Sequence, residues 1–437
     1  MHPVISPTIV DLFAGAGGIS EGFRQAGFNP IVATDIDPDA CATFRRNFPA
    51  TAVIHGDVRS RTIASALLNA SAGVDVVVGG PPCQAFSQVR NHVRLIDDPR
   101  NSLYKEFVHI VAKLLPSAFL MENVTGIDQM GYREQIAHDL ELDGEYAVTP
   151  QVIDAADVGV PQTRKRLIFV GVRRALGVAP PIVQRSEATN LLGLARVMRS
   201  GRYRYDLKPT DDLFASRLLD SLSDPEDMST VTAAQALSDL CSIRSGNRDD
   251  ILEYACLPPA QSAYQRAMRE GNGDTLHNVQ VPRLREDTAT RLRAIPSGGN
   301  HRDLPEELMQ RNLNGQKWGP ENGSGLLSRR HYYAYRRLHP SIWSWTLNTK
   351  ADSAYHYQEV RSLSVREFAR LHSFPDRFVF TTDPRLGHLL GRQDGGPAHS
   401  RYRQVGNAVP PLLAKACAAA LRKAVFSGRT EVMRRAA

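Results

Sequence analysis

The chain of 437 residues, 42% hydrophobic and 23% charged, is long enough to bury one large core plus a smaller second one, and too apolar for a disordered or low-complexity chain. Its formal net charge of +7 points to a polyanionic partner. Five cysteines (Cys41, Cys83, Cys241, Cys256 and Cys417), odd in number and without a CxxC pair, speak against a disulfide framework or a zinc site.

The first seven residues are too short and polar for a signal-peptide core, and no apolar run reaches the length of a membrane span, so a soluble, cytoplasmic protein is expected. Strand-like runs at residues 8–12, 31–34, 52–55, 74–78 and 118–121 alternate with helical patterns at 19–25, 40–47, 61–69 and 103–114. This alternation predicts an α/β fold with a mostly parallel sheet covered by helices on both faces. Ligands in such sheets bind beyond the carboxyl ends of the strands. Two further strands, 146–153 and 166–172, flank Val160-Pro161-Gln162. From about 179 to 351 the pattern is irregular and rich in Arg, Pro, Gly and Ser, with helical pieces at 213–222 and 233–240, which marks a second lobe. Helical patterning returns at 361–372 and 409–425, and the basic tail 429–437 is expected to fray.

Several of these strand ends carry chemistry. The first meets Asp11-Leu12-Phe13-Ala14-Gly15-Ala16-Gly17-Gly18, whose glycines permit a tight turn and close approach of a ligand. Alone, this turn would serve a dinucleotide equally well, or no ligand at all. The second strand ends at Asp35, placed to accept from ribose hydroxyls, and the third at Asp57, placed for an adenine amino group. The fourth delivers Cys83 on the Pro-rich stretch Gly79 to Ser87, GGPPCQAFS, and the fifth delivers Glu122 in Met121-Glu122-Asn123-Val124.

Together with Gln162-Thr163-Arg164-Lys165-Arg166, the segment running from Arg361 to Asp376, and Gln404 to Pro410, these motifs resemble, in order, those of the DNA cytosine-5 methyltransferases of the bacterial and phage restriction-modification type. The resemblance implies a class I S-adenosylmethionine-dependent fold, Rossmann-like with a mostly parallel seven-stranded sheet, and a smaller irregular target-recognition domain. It divides the chain into a catalytic and cofactor-binding part (1–178), a target-recognition part (179–351), and a scaffold that returns to the catalytic domain (352–437). It also implies S-adenosylmethionine held by Phe13, Ala14, Gly15, Gly17, Gly18, Asp35, Ile36, Asp57, Val58, Pro81, Leu103, Asn407 and Ala408. Where the family commonly has Glu followed by an aromatic, this chain has Asp35-Ile36, a departure expected to weaken cofactor affinity.

The chemistry explains the residue types. Cytosine C5 is a poor nucleophile, and thiolate addition at C6 makes it enamine-like, which splits one hard step into two easier ones. Cys83 is the expected nucleophile, with Arg164 and Arg166 near its thiolate and the developing charge on the base. Glu122 ends an apolar strand, where burial favours a protonated carboxyl able to act on cytosine N3. The target base must be flipped out of the duplex, so a second surface has to grip double-stranded DNA. The expected contacts are Gln84, Ser87, Arg329, Arg330, Arg336 and Arg337, in a stretch where tyrosines 332, 333 and 335 are interleaved with arginines. The helix within 361–372 reads as scaffold. A monomer with a cognate restriction endonuclease as genetic partner is expected, without metal. The rival readings are a tRNA cytosine-5 methyltransferase of the same fold, and a catalytically silent DNA-binding homologue. Retention of Cys83, Glu122, Arg164 and Arg166 argues against the second.

Overall fold

The computed structural model describes residues 6–82, 103–129, 131–186, 189, 224–308, 335–385 and 396–427. In the first half, strands β1 (Thr8–Leu12), β2 (Asn29–Asp35), β3 (Ala52–His55), β4 (Val76–Gly79), β5 (Ala118–Val124), β6 (Tyr146–Asp154) and β7 (Lys165–Arg173) form one sheet in the order β3-β2-β1-β4-β5-β7-β6. The pairs from β3 through to β5 are parallel; β7 runs antiparallel to both β5 and β6. The strand order reverses between β1 and β4, which opens a crevice beyond their carboxyl ends. This is the Rossmann-like sheet of class I methyltransferases.

Helices α1 (Gly18–Gln25), α2 (Pro38–Asn47), α3 (Arg61–Ala70), α4 (Leu103–Leu114), α5 (Gly126–Gln129) and α6 (Arg133–Glu141) accompany these strands. α2 starts where Asp37 accepts the Asp39 and Ala40 N–H groups through its side chain, with Pro38 as first helical residue. Successive strand residues point to opposite faces, and both faces are apolar. Ile9, Val76, Val78, Leu120 and Val170 pack under Ile19 and Phe23 of α1 and under Leu413 and Cys417 of the Pro411–Leu421 helix. Val10, Leu12, Val77, Phe119 and Phe169 pack on the other side under Phe107 and Val111 of α4 and Ile136 and Leu140 of α6. The C-terminal helix therefore covers the sheet of the N-terminal half.

The described part of the middle region is irregular: a two-stranded antiparallel sheet (Ile251–Glu253 with Thr275–His277) and short helices. The expected helix at 233–240 is an α-helix over Ala233–Leu237 followed by a 3-10 turn, and the one at 361–372 is confined to Val365–Leu371. Ser364 and Glu367 form a capping box there, so Leu363 precedes the helix. The expected helix at 213–222 lies outside the described residues. Val231, Leu237, Tyr264 and Leu276 share one apolar cluster with Leu338, Leu363, Phe368, Phe374 and Tyr402, with Phe44 of α2 and with Phe48 just after it. Packing thus runs across both expected domain boundaries.

Candidate active site

β4 ends at Gly79 and leads into Gly80-Pro81-Pro82, the described start of the loop that carries Cys83. Cys83, Gln84 and Ser87, like Arg329 and Arg330, lie outside the described residues. The Asn123 side-chain amide donates to the Pro81 carbonyl at 3.1 Å, which fastens the loop to the end of β5. On that strand end, Val124 is paired with Arg166 of β7, so Glu122 sits diagonally across from Arg166 on the same face. Arg166 Nε lies 2.6 Å from Glu122 Oε1, and each side chain is 12% exposed. Glu122 is thus provided with a guanidinium rather than an apolar pocket. A Cβ on Gly80 would stand 3.0 Å from Glu122 Oε2, so glycine lets the loop backbone approach this carboxylate directly.

Arg164 takes a different part. It is buried, and its guanidinium donates to the carbonyls of Leu347 (3.2 Å) and Gly406 (2.8 Å), joining β7 to the middle region and to the C-terminal return. Burial pushes it down from the usual arginine range, and the neighbouring Arg166 adds to this, while Glu122 opposes it. Gln162 belongs to the same joint: its Oε1 accepts from the Leu347 N–H and its Nε2 donates to the Leu371 carbonyl. Asp154 fixes the turn by accepting from the Arg164 N–H (2.9 Å) and the Thr163 hydroxyl (2.6 Å). Nothing local in the sequence flagged Asp154 or Asn123 for these tasks. Buried His372 lies beside Gln162 and is pushed far down by desolvation, then by Arg164, so it is held neutral.

At the β1 end, Phe13 and Gly15 both adopt left-handed backbone conformations, with φ of 55°. A Cβ at Gly15 would meet nothing within 4 Å, so the turn forms an open cradle. The Gly15 N–H donates to Asp35 Oδ2 at 2.7 Å while Asp35 Oδ1 accepts from the Asp37 N–H, so this carboxylate braces the cradle it was expected to border. Burial raises the Asp35 carboxyl above its usual range. Gly17 and Gly18, expected beside the cofactor, are required for packing: a Cβ at 17 would strike the Phe48 ring and one at 18 the Val409 carbonyl at 2.2 Å. That second approach sets Val409, the residue after Ala408, against the start of α1. Ile36 is 63% exposed at the end of β2, a large apolar side chain left facing outward. Asp57 is half-buried and held by Arg59, which keeps its carboxyl below the usual range, with Val58 buried behind it. Pro81 is buried and Leu103 opens α4. An open cradle, an exposed apolar side chain and two strand-end carboxylates suit an adenosine-bearing group.

Two of the expected DNA contacts are corrected. Arg337 is buried and donates to the backbone carbonyls of Leu292, Ile295, His356, Tyr357 and Gln358, so its donors are spent inside the fold. Arg336 is also buried, its guanidinium 3.6 Å above the centre of the Trp345 ring.

The family model for C-5 cytosine-specific DNA methylases matches residues 7–423. The chain belongs to this family. It is 31% identical over 424 residues to the type II methyltransferase M1.HphI of Haemophilus parahaemolyticus, covering 96% of this chain and 87% of that protein. It is also 31% identical over 462 residues to M.AgeI of Thalassovita gelatinovora, covering 95% and 99%. Its fold is similar to that of a candidate DNA modification methyltransferase encoded within an E. coli prophage, with a TM-score of 0.64 at 23% identity, covering 96% and 99% of the two chains. This DNA methylase is therefore a site-specific enzyme that methylates C5 of cytosine and uses S-adenosylmethionine. When bound, that cofactor supplies the electrophilic methyl group. No described helix is long and apolar enough to cross a membrane.

Proposed function

We propose that this methylase is the modification enzyme of a type II restriction-modification pair, and that its chemistry is divided among Cys83, Glu122 and Arg166. The Cys83 thiolate adds to cytosine C6, and the displaced electron pair makes C5 the nucleophile toward the methyl group. Glu122 delivers a proton toward cytosine N3 as the thiolate adds, so negative charge does not accumulate on the ring. Water then takes the C5 proton, the electron pair of that bond re-forms the C5–C6 double bond and expels the Cys83 thiolate, and the N3 proton returns to Glu122. Arg166 holds the Glu122 carboxyl in place, and Arg164 acts from behind it as a positioning residue. Residues 179–351 carry target recognition, and a nuclease cutting the same sequence is the genetic partner, as the type II relatives suggest.

The observation that carries this reading is the Glu122–Arg166 pair lying against Gly80, three residues before Cys83. The test is covalent trapping on DNA containing 5-fluorocytosine in the presence of cofactor, where fluorine at C5 blocks release of the thiolate. Wild type should form a stable adduct and Cys83→Ser none, because a hydroxyl is far less ionised than a thiol at neutral pH. An adduct surviving in Cys83→Ser would place the nucleophile elsewhere.

A further inference from the structure

Between the middle region and the segment after residue 351 lies a basic cleft that the methylation chemistry does not use. A cavity of about 240 Å³ and a second of about 420 Å³ adjoin along a shared wall made by Gly246, Arg248 and Arg283. The wall is locked. Asn247 donates through its side chain to the carbonyls of Asp249 and Val279, and its own carbonyl accepts from the Val281 N–H, which ties the 244–250 turn to the 279–283 segment. Gly246 turns there with a φ of 74°, and a Cβ would come within 3.6 Å of the Arg283 side chain. The acids bordering the cleft are already neutralised: Asp250 by Arg401 at 2.9 Å and Glu286 by Arg293 at 2.8 Å. Arg248 and Arg283 are exposed and have no acidic partner among the described residues, as do the flanking Arg244 and Arg285.

An ordinary solvated basic face scatters its charges and pairs them with nearby acids. Here two guanidiniums share one preformed wall, and the two acids that line the cavities are each paired with another arginine, so the wall offers two unpaired guanidiniums to an anion. Planar, bidentate guanidinium donors match phosphate oxygens. We propose that Arg248 and Arg283 bind phosphodiester groups of the DNA duplex, fixing the position of the methylase on its substrate without reading sequence. This rests on the assignment as a DNA methylase and adds contacts outside its family motifs.

The test is equilibrium binding of the full chain to duplex DNA across a salt series, comparing wild type with Arg248→Gln/Arg283→Gln. Each phosphate contact contributes about 0.9 to the slope of log affinity against log salt, so losing two should lower the slope by about 1.8. The affinity advantage of wild type should accordingly shrink about tenfold between about 50 and about 200 mM salt. The methylated sequence, mapped by bisulfite sequencing, should stay the same, and Arg248→Lys/Arg283→Lys should keep the wild-type slope because charge is retained. An unchanged slope in the glutamine variant overturns the proposal, as does a changed target sequence, which would make the arginines base readers. Methylation by wild type in the same preparations separates failure of this proposal from failure of the enzymatic assignment. Should the glutamine variant unfold, an Arg248→Gln single variant, expected to lower the slope by about 0.9, carries the same test.

Discussion

Glu122 of β5 and Arg166 of β7 are joined Oε1 to Nε at 2.6 Å across an antiparallel pair, with the Glu122 carboxylate also against Gly80. Two strands and the nucleophile's loop thus meet at one carboxylate. Glu122→Gln keeps the shape but cannot exchange a proton with N3, and single-turnover methylation at saturating cofactor should slow by at least about a hundredfold. An unchanged rate would exclude Glu122 as proton donor.

Because the two side chains act as one unit, Arg166→Gln and Glu122→Gln should not be additive. A double-mutant cycle on the single-turnover rate should give a coupling of about 0.5 to 3 kcal/mol, the range found for residues in direct contact. Additive losses would mean that Arg166 acts on the substrate independently of Glu122.

The fold was legible because its parallel strands are buried on both faces and read as continuous apolar runs, such as Val76-Val77-Val78. β5 was read short, since the polar Glu122-Asn123 pair concealed the strand's continuation to Val124. The middle region hid more. Arg337 stands in a basic, tyrosine-rich stretch that reads as a DNA surface, yet five backbone carbonyls consume its donors. Arg370 likewise gives no local sign of its burial; its partners are Asp376, six residues on, and Asp239, 131 residues earlier. Sequence separation conceals such pairing, and with it the apolar cluster linking Phe44 to Tyr402. At the cofactor edge the motif residues were legible by type, but the packing need for Gly17 and Gly18 depends on Phe48 and on the Val409 carbonyl, which only the folded chain brings near.

Arg164 is expected to act through position. Arg164→Gln loses two charge-assisted bonds, to Leu347 and Gly406, and should lower unfolding free energy by about 2 to 3 kcal/mol in urea titration. Arg164→Lys should rescue little, because a single ammonium lacks the fork that spans both carbonyls. Lost chemistry at full stability in Arg164→Gln would instead place the guanidinium against the base.

Ile36 tests the cofactor edge. Its exposed side chain offers apolar surface to an adenine ring, so Ile36→Ser should weaken S-adenosylmethionine binding by about 1 kcal/mol, roughly fivefold, with little effect on folding. Isothermal titration of the free enzyme measures this directly. Unchanged affinity would remove Ile36 from the cofactor surface.

Asp11 supplies a pH test. Its carboxyl lies buried at the end of β1; one oxygen accepts from the Ser20 hydroxyl at 2.6 Å, and the other has no hydrogen-bond partner. Burial raises it to about 7, the Ser20 bonds oppose the rise, and Asp35 adds to it slightly. In the unfolded chain it titrates near the ordinary value of about 3.9. The folded state therefore binds the proton more tightly. The stability associated with this group is fully present below about pH 4 and is lost as pH rises through about 7. Asp11→Asn keeps the size and an acceptor for Ser20 but cannot ionise. Relative to this variant, wild type should lose on the order of 2 kcal/mol between about pH 5 and about pH 8, measured as the difference between two urea denaturation series. The sign is the decisive part: if wild type instead gains on Asp11→Asn as pH rises, the Asp11 carboxylate is stabilised in the fold, and an unseen donor must reach its second oxygen.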